Sequence, residues 1–75
     1  MPRLPRISSK EAIRALERLG FEKVRQTGSH VVLKRITENG EMGCVVPLHK
    51  ELKLGTLNGI LKQAQISAEV FIANL

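Results

Sequence analysis

The segment Gln26-Thr27-Gly28-Ser29-His30-Val31-Val32-Leu33-Lys34-Arg35-Ile36-Thr37-Glu38-Asn39-Gly40 carries two turn signals with a strand-forming run between them. Gly28-Ser29 turns the chain into a strand expected from His30 to about Ile36, and Asn39-Gly40 is the strongest hairpin signal in the sequence. Outward from these turns, Phe21 to Thr27 reads as a first strand polar enough to lie at a sheet edge. Met42 to Val46 reads as a third, ended by Pro47. The pleat puts His30, Val32, Lys34 and Ile36 on one face of the middle strand and Val31, Leu33 and Arg35 on the other. Apolar residues fall on both faces, so the pattern alone leaves open which one is buried.

Helices flank the strands. Ser8 and Glu11 have capping-box spacing, and Ala12, Ala15, Leu16 and Leu19 share one helical face with Ile13 beside it. Gly20 ends that helix, and Phe21 folds back on Leu16 in the contact that accompanies a left-handed glycine cap. After a loop from Leu48 to Leu54, a second helix is expected to bury Leu54, Leu57, Ile60, Leu61 and Ala64, with Thr56 as its cap and Gly59 as a weak point. Ser67 opens a further turn, and Val70, Phe71 and Leu75 are expected to close the core as a short third helix. The predicted architecture is α+β, in the order α-β-β-β-α with a short extra C-terminal helix. A three-stranded antiparallel sheet carries its helices on one face, because so short a chain cannot cover both. Residues 1–75 form one domain, with 1–6 (two prolines, two arginines) as an extended arm, free unless it docks.

Twelve basic residues against seven acidic ones, all of them Glu, give a net charge of +5 in 75 residues. That excess favours a polyanionic partner, nucleic acid ahead of an acidic protein. Two phenylalanines and no Trp or Tyr argue against a platform that stacks bases on rings. The single cysteine, Cys44, excludes an internal disulfide and a cysteine-based zinc site, and reads as a buried thiol in a reducing compartment. No stretch approaches the ~18 apolar residues of a membrane span, so the expectation is a cytoplasmic protein with no membrane partner.

Enzymatic chemistry has few residues to draw on. The glutamates are scattered, and neither histidine has a partner at metal-ligand spacing, so no metal and no small-molecule cofactor is implied. Ser29 and His30 are neighbours at a strand start, where side chains are expected to point apart, which argues against a nucleophilic dyad. What remains is metal-free acid/base work on RNA, in which a base takes the 2′-hydroxyl proton and the oxygen attacks the adjacent phosphate. An imidazole, titrating near 6.5, suits that task. With Val31 and Leu33 turned to the helices, His30 and Lys34 share the open face, and Lys34, Arg25, Arg35 and Ser29 are candidate RNA contacts. By pattern alone, a lone strand histidine is an ordinary surface residue, His49 shapes a loop, and Lys10, Arg14 and Arg18 are a solvated helix face.

Several short motifs, in order and at spacing, change the standing of His30. Gly20-Phe21, Gly28-Ser29-His30, Val46-Pro47 with His49, Leu52-Lys53 with Gly55-Thr56-Leu57, Ile60-Leu61-Lys62-Gln63-Ala64 and Ile66-Ser67 together resemble the HicA (YcfA-like) toxins of bacterial toxin-antitoxin pairs. The resemblance runs from the first helix to Phe71. It implies a fold like the double-stranded RNA-binding domain, ribonuclease (mRNA interferase) activity that arrests translation, and neutralisation by a HicB-type antitoxin protein. It also implies that His30, in the Gly-Ser-His motif, is catalytic. Gln65 departs from the family's usual glycine, and Asn58-Gly59 replaces a more helix-favouring and often basic pair. From different classes, a non-catalytic double-stranded RNA-binding module and a protein-interaction domain that docks an acidic partner fit the same charge and size.

Overall fold

A computed structural model describes residues 3–75. The elements run α1 (Ser9–Arg18), β1 (Glu22–Thr27), β2 (His30–Thr37), β3 (Gly40–Pro47), α2 (Leu54–Ala64) and α3 (Ala68–Ala73). The strands form one antiparallel sheet in the order β1-β2-β3, so the middle strand of the sequence is also the middle of the sheet.

Local chemistry sets the ends of α1 as expected. Ser8 Oγ accepts the Glu11 N–H at 3.1 Å, and the Glu11 carboxylate accepts the Ser8 N–H at 3.1 Å, closing a reciprocal capping box. At the far end Gly20 takes φ +98°, and the Phe21 N–H donates to the Leu16 carbonyl at 3.0 Å, burying both side chains. Ser67 caps α3 by accepting the Val70 N–H. The cap expected of α2 differs. The helix begins at Leu54 with Lys53 as its cap, whose carbonyl accepts the Leu57 N–H but whose side chain makes no cap bond, so Thr56 lies inside the first turn rather than before it.

Burial settles which sheet face carries the core. Val31, Leu33, Cys44 and Val46 are buried against Ala12, Ala15, Leu16, Leu57, Ile60, Leu61 and Phe71. His30, Lys34 and Ile36 of β2 are exposed on the opposite face. Three residues expected in the core are out of it: Leu54, Val70 and Leu75 are all more than 40% exposed. Leu52, read as part of a loop, is buried instead, and its N–H donates to the Ile7 carbonyl at 2.8 Å. In the short α3 only Phe71 faces inward, since a helix rotates about 100° per residue and Val70 is thereby turned out. Of the N-terminal arm, residues 1 and 2 lie outside the described residues, while Leu4 packs against the core and Ile7 is buried in it.

The first turn is as read, and the second is shifted by one residue. Thr27 pairs with His30, so Gly28 and Ser29 are the loop, with φ +52° only at Gly28, the φ pattern of a type II′ turn. Thr37 pairs with Gly40, so the second loop is Glu38-Asn39 rather than Asn39-Gly40, and the positive φ falls on Gly40 at +123°. Thr37 Oγ1 accepts the Asn39 N–H and donates to the Gly40 carbonyl, which braces this loop.

The free edges are blunted by three devices. On β3, Val45 N–H donates to Gln63 Oε1 of α2 at 3.2 Å, and Pro47 has no N–H to offer. On β1 the ladder is broken by a bulge between Lys23 and Arg25, leaving Val24 without a partner. Among the described residues no helix is long and apolar enough to cross a membrane.

Two stability predictions follow from backbone and burial. Gln65 ends α2 at φ +58°, ψ +43°, a left-handed conformation that costs an L-residue roughly 1 kcal/mol relative to glycine. Gln65→Gly is expected to raise the unfolding free energy by about 1 kcal/mol in urea titrations. Burial pushes the Cys44 thiol up from 9.0 to about 11. The unfolded thiol ionises first, so stability is undiminished below about pH 9 and falls as the pH climbs toward about 11. Urea midpoints between those limits should fall more steeply for the parent than for Cys44→Ala.

Candidate active site

The Gly28-Ser29 turn places His30 at the first position of β2, on the open face, opposite Thr27 on β1 and Pro47 on β3. The Leu48 N–H donates to the Ser29 carbonyl at 2.6 Å, so the turn is tied to the residue that follows β3, and the backbone that aims the ring is held from that side as well as by its pairing with β1. The expected divergence of Ser29 and His30 is not what is found. Ser29 Oγ lies 3.3 Å from His30 Nδ1, because Ser29 belongs to the turn and the alternation of a pleated strand does not govern it. Which of the two groups donates depends on the ring tautomer. When the ring N–H donates to Oγ, Nε2 is left as an acceptor.

The basic residues named from the sequence are divided by the sheet. Arg25 pairs with Val32 and stands on the His30 face, one diagonal step away, which is about 7–8 Å between backbone positions. Lys34 shares that face but lies four residues along the strand from His30, about 13 Å at the usual rise. Its ammonium is also committed elsewhere. Lys34 Nζ is 2.8 Å from Glu41 Oε1, and its stem passes Gly43, where an added Cβ would stand 3.7 Å from Lys34 Cγ. Glu22 pairs with Lys34 from the other side. Arg35 is on the helix-side face, level with Met42, and its side chain lies over Gly20, where a Cβ would stand 3.5 Å from Nε. The arrangement therefore brings His30, Ser29 and Arg25 together, and leaves Lys34 and Arg35 apart from them.

The sequence reading passed over Ser9, the one buried polar side chain among the described residues. Its hydroxyl donates to the His49 carbonyl at 3.0 Å and accepts the His49 N–H at 3.1 Å, while its own N–H donates to the same carbonyl. This clamps the start of α1 to the loop after β3. His49 takes part through its backbone, and its side chain is exposed. Two serines in a row before a helix carried that signal, since only one was needed as the cap.

No group of three or more His, Cys, Asp or Glu that would hold a metal ion occurs among the described residues. The fold and this face define a small basic α+β domain that presents one backbone-aimed imidazole on an uncovered sheet. Residues 9–66 match the family model for the HicA toxin of bacterial toxin-antitoxin systems, and the chain belongs to that family. No curated protein matches it.

The Lys34–Glu41 pair yields a direct test of the open face. Glu41→Gln should release the ammonium and raise the salt concentration that elutes the protein from heparin. The rise should exceed that given by Glu51→Gln, which changes the net charge equally; an equal rise would mean that the pair does not restrain Lys34.

Proposed function

We propose that the protein is an RNA endonuclease toxin that cleaves message without a metal, using His30 as its acid/base group. Membership of a toxin family supports this reading, and so does the geometry at one residue: His30 is exposed, and its Nδ1 lies 3.3 Å from Ser29 Oγ. In the reaction, neutral His30 takes the proton from a ribose 2′-hydroxyl. The 2′-oxygen attacks the adjacent phosphorus, the bond to the 5′-oxygen breaks, and that oxygen leaves with a proton from solvent or a second acid. The products are a 2′,3′-cyclic phosphate and a free 5′-hydroxyl. Ser29 acts on this account as a positioning residue, and Arg25 is the cation one diagonal step from the ring that would meet the phosphate.

A toxin of this kind needs a partner to hold it in check. We assign that role to a HicB-type antitoxin protein that covers the open sheet face or inserts an element there, hiding His30. The exposed apolar groups on or beside this face, Val24, Val45 and Ile36, the last 82% exposed, supply area for such a cover.

General acid/base catalysis contributes about 10²- to 10⁴-fold. His30→Ala is therefore expected to lower kcat/KM on an RNA substrate by that factor, to abolish growth arrest in the host cell, and to leave the far-UV circular dichroism unchanged. Cleavage that persists at the parent rate would overturn the role of His30. Salt-sensitive RNA binding with no product from either protein would favour a non-catalytic binding module.

A further inference from the structure

A hollow of about 480 Å³ lies away from the His30 face. It runs under the sheet, between α1 and the overhanging strand β1. Lys10 and Arg14 of α1 form one wall, Lys23 and Gln26 of β1 the other, Val31 lies in the floor, and Leu48 closes one end.

The bulge is what makes this groove basic. In an unbroken strand, positions 23 and 26 would point to opposite faces, and a regular ladder running on from the Arg25–Val32 pair would set Lys23 against Lys34. With Val24 unpaired, Lys23 instead pairs with Leu33 and Gln26 with Val31, so both share the helix-side face. The like-charge opposition is removed, and Glu22 stands opposite Lys34 in its place.

The charges on the two faces are in different states. On the His30 face, Lys34 is paired with Glu41; this is the ion pair formed among the described residues, and none joins Lys10, Arg14 or Lys23 to a carboxylate. Glu17 is the one acid on the groove's lining, against three cations. Arg18, next along α1, is occupied with the Asn74 carbonyl at 2.7 Å and lies outside the lining. The groove also reaches the site. Its end residue Leu48 donates its backbone N–H to the carbonyl of Ser29, the residue just before His30.

We infer that this groove binds the phosphodiester backbone of RNA, with Lys10, Arg14 and Lys23 on successive phosphates and Gln26 as a polar contact. The strand then leaves the groove at Leu48 and passes over the Gly28-Ser29 turn to His30. The inference deepens the ribonuclease reading and rests on it for the identity of the polymer. It makes the groove the holding surface and the open face the cutting surface.

The test uses the full chain carrying His30→Ala, so that RNA survives the measurement, and fluorescence anisotropy with a 12-nucleotide single strand and, separately, a duplex RNA. Lys10→Gln, Arg14→Gln and Lys23→Gln are combined in one variant; all three side chains are exposed, and circular dichroism checks the fold. A control with Lys50→Gln, Lys53→Gln and Lys62→Gln has the same net charge. The groove variant should bind at least tenfold more weakly than the control. The slope of log K against log salt should fall by roughly 0.7 per lost contact on the single strand, or roughly 0.9 on the duplex, and the form held is the one whose binding shows the groove-dependent loss. In the His30-competent protein the same three changes should raise KM and leave kcat within about threefold. Equal binding by groove variant and control overturns the inference, and does so whether or not RNA is cleaved. Groove-dependent binding without cleavage by the parent would sustain the groove and sink the nuclease. Failure of the parent to bind either RNA would end both.

Discussion

One layer of helices can cover one face of one sheet, and the rest of the molecule is arranged by that limit. Val31 and Leu33 on β2, with Cys44 and Val46 beside them on β3, meet α1, α2 and Phe71 and are buried. Because side chains alternate along a strand, placing 31 and 33 inward forces 30, 34 and 36 outward; a one-residue slip would exchange the sets and bury an imidazole and an ammonium. The exposure of His30 is thus a consequence of core packing. Nothing local to the histidine has to hold it out.

Charge is sorted by a second constraint. The 12 cations outnumber 7 carboxylates, so they cannot all be paired, and where the few carboxylates fall decides which cations remain open to a ligand. Glu22 and Glu41 both fall around Lys34 on the outer face. That face is consequently closer to neutral, with Val24, Val45 and Ile36 among its surroundings, while the helix-side groove keeps its positive charge. An uncovered face of that composition suits a protein cover better than it suits a polyphosphate.

Much of the fold was legible because its signals are local. A capping box, a glycine stop and two turn-forming segments each act within four or five residues, and α1 and the strand order came out as read. The errors arose where a distant partner decides. Leu52, not Leu54, is in the core, on a loop where its N–H bonds Ile7 in a distant segment, and the buried Ser9 finds its partners in His49. Of the candidate site, the position of His30 on the sheet was legible and the state of its surroundings was not. His30 stood out by motif, but Lys34 looked available only while Glu41 was unplaced, and Arg35 seemed close only by sequence number. The bulge could have been suspected, since the regular ladder would have opposed two lysines.

The turn Gly28-Ser29 therefore stands between two surfaces of unlike chemistry, and the link is covalent and short. Ser29 contributes its hydroxyl to the ring on one side and its carbonyl to Leu48 on the other. On the proposed reading, a strand held in the groove must cross this turn to reach the imidazole, so holding and cutting are coupled by the loop alone. An inhibitor then has no need to neutralise the basic groove along its length. Covering the turn would close the passage and the ring together, and the near-neutral outer face, with Val24, Val45 and Ile36 exposed on or beside it, offers apolar area for such a cover.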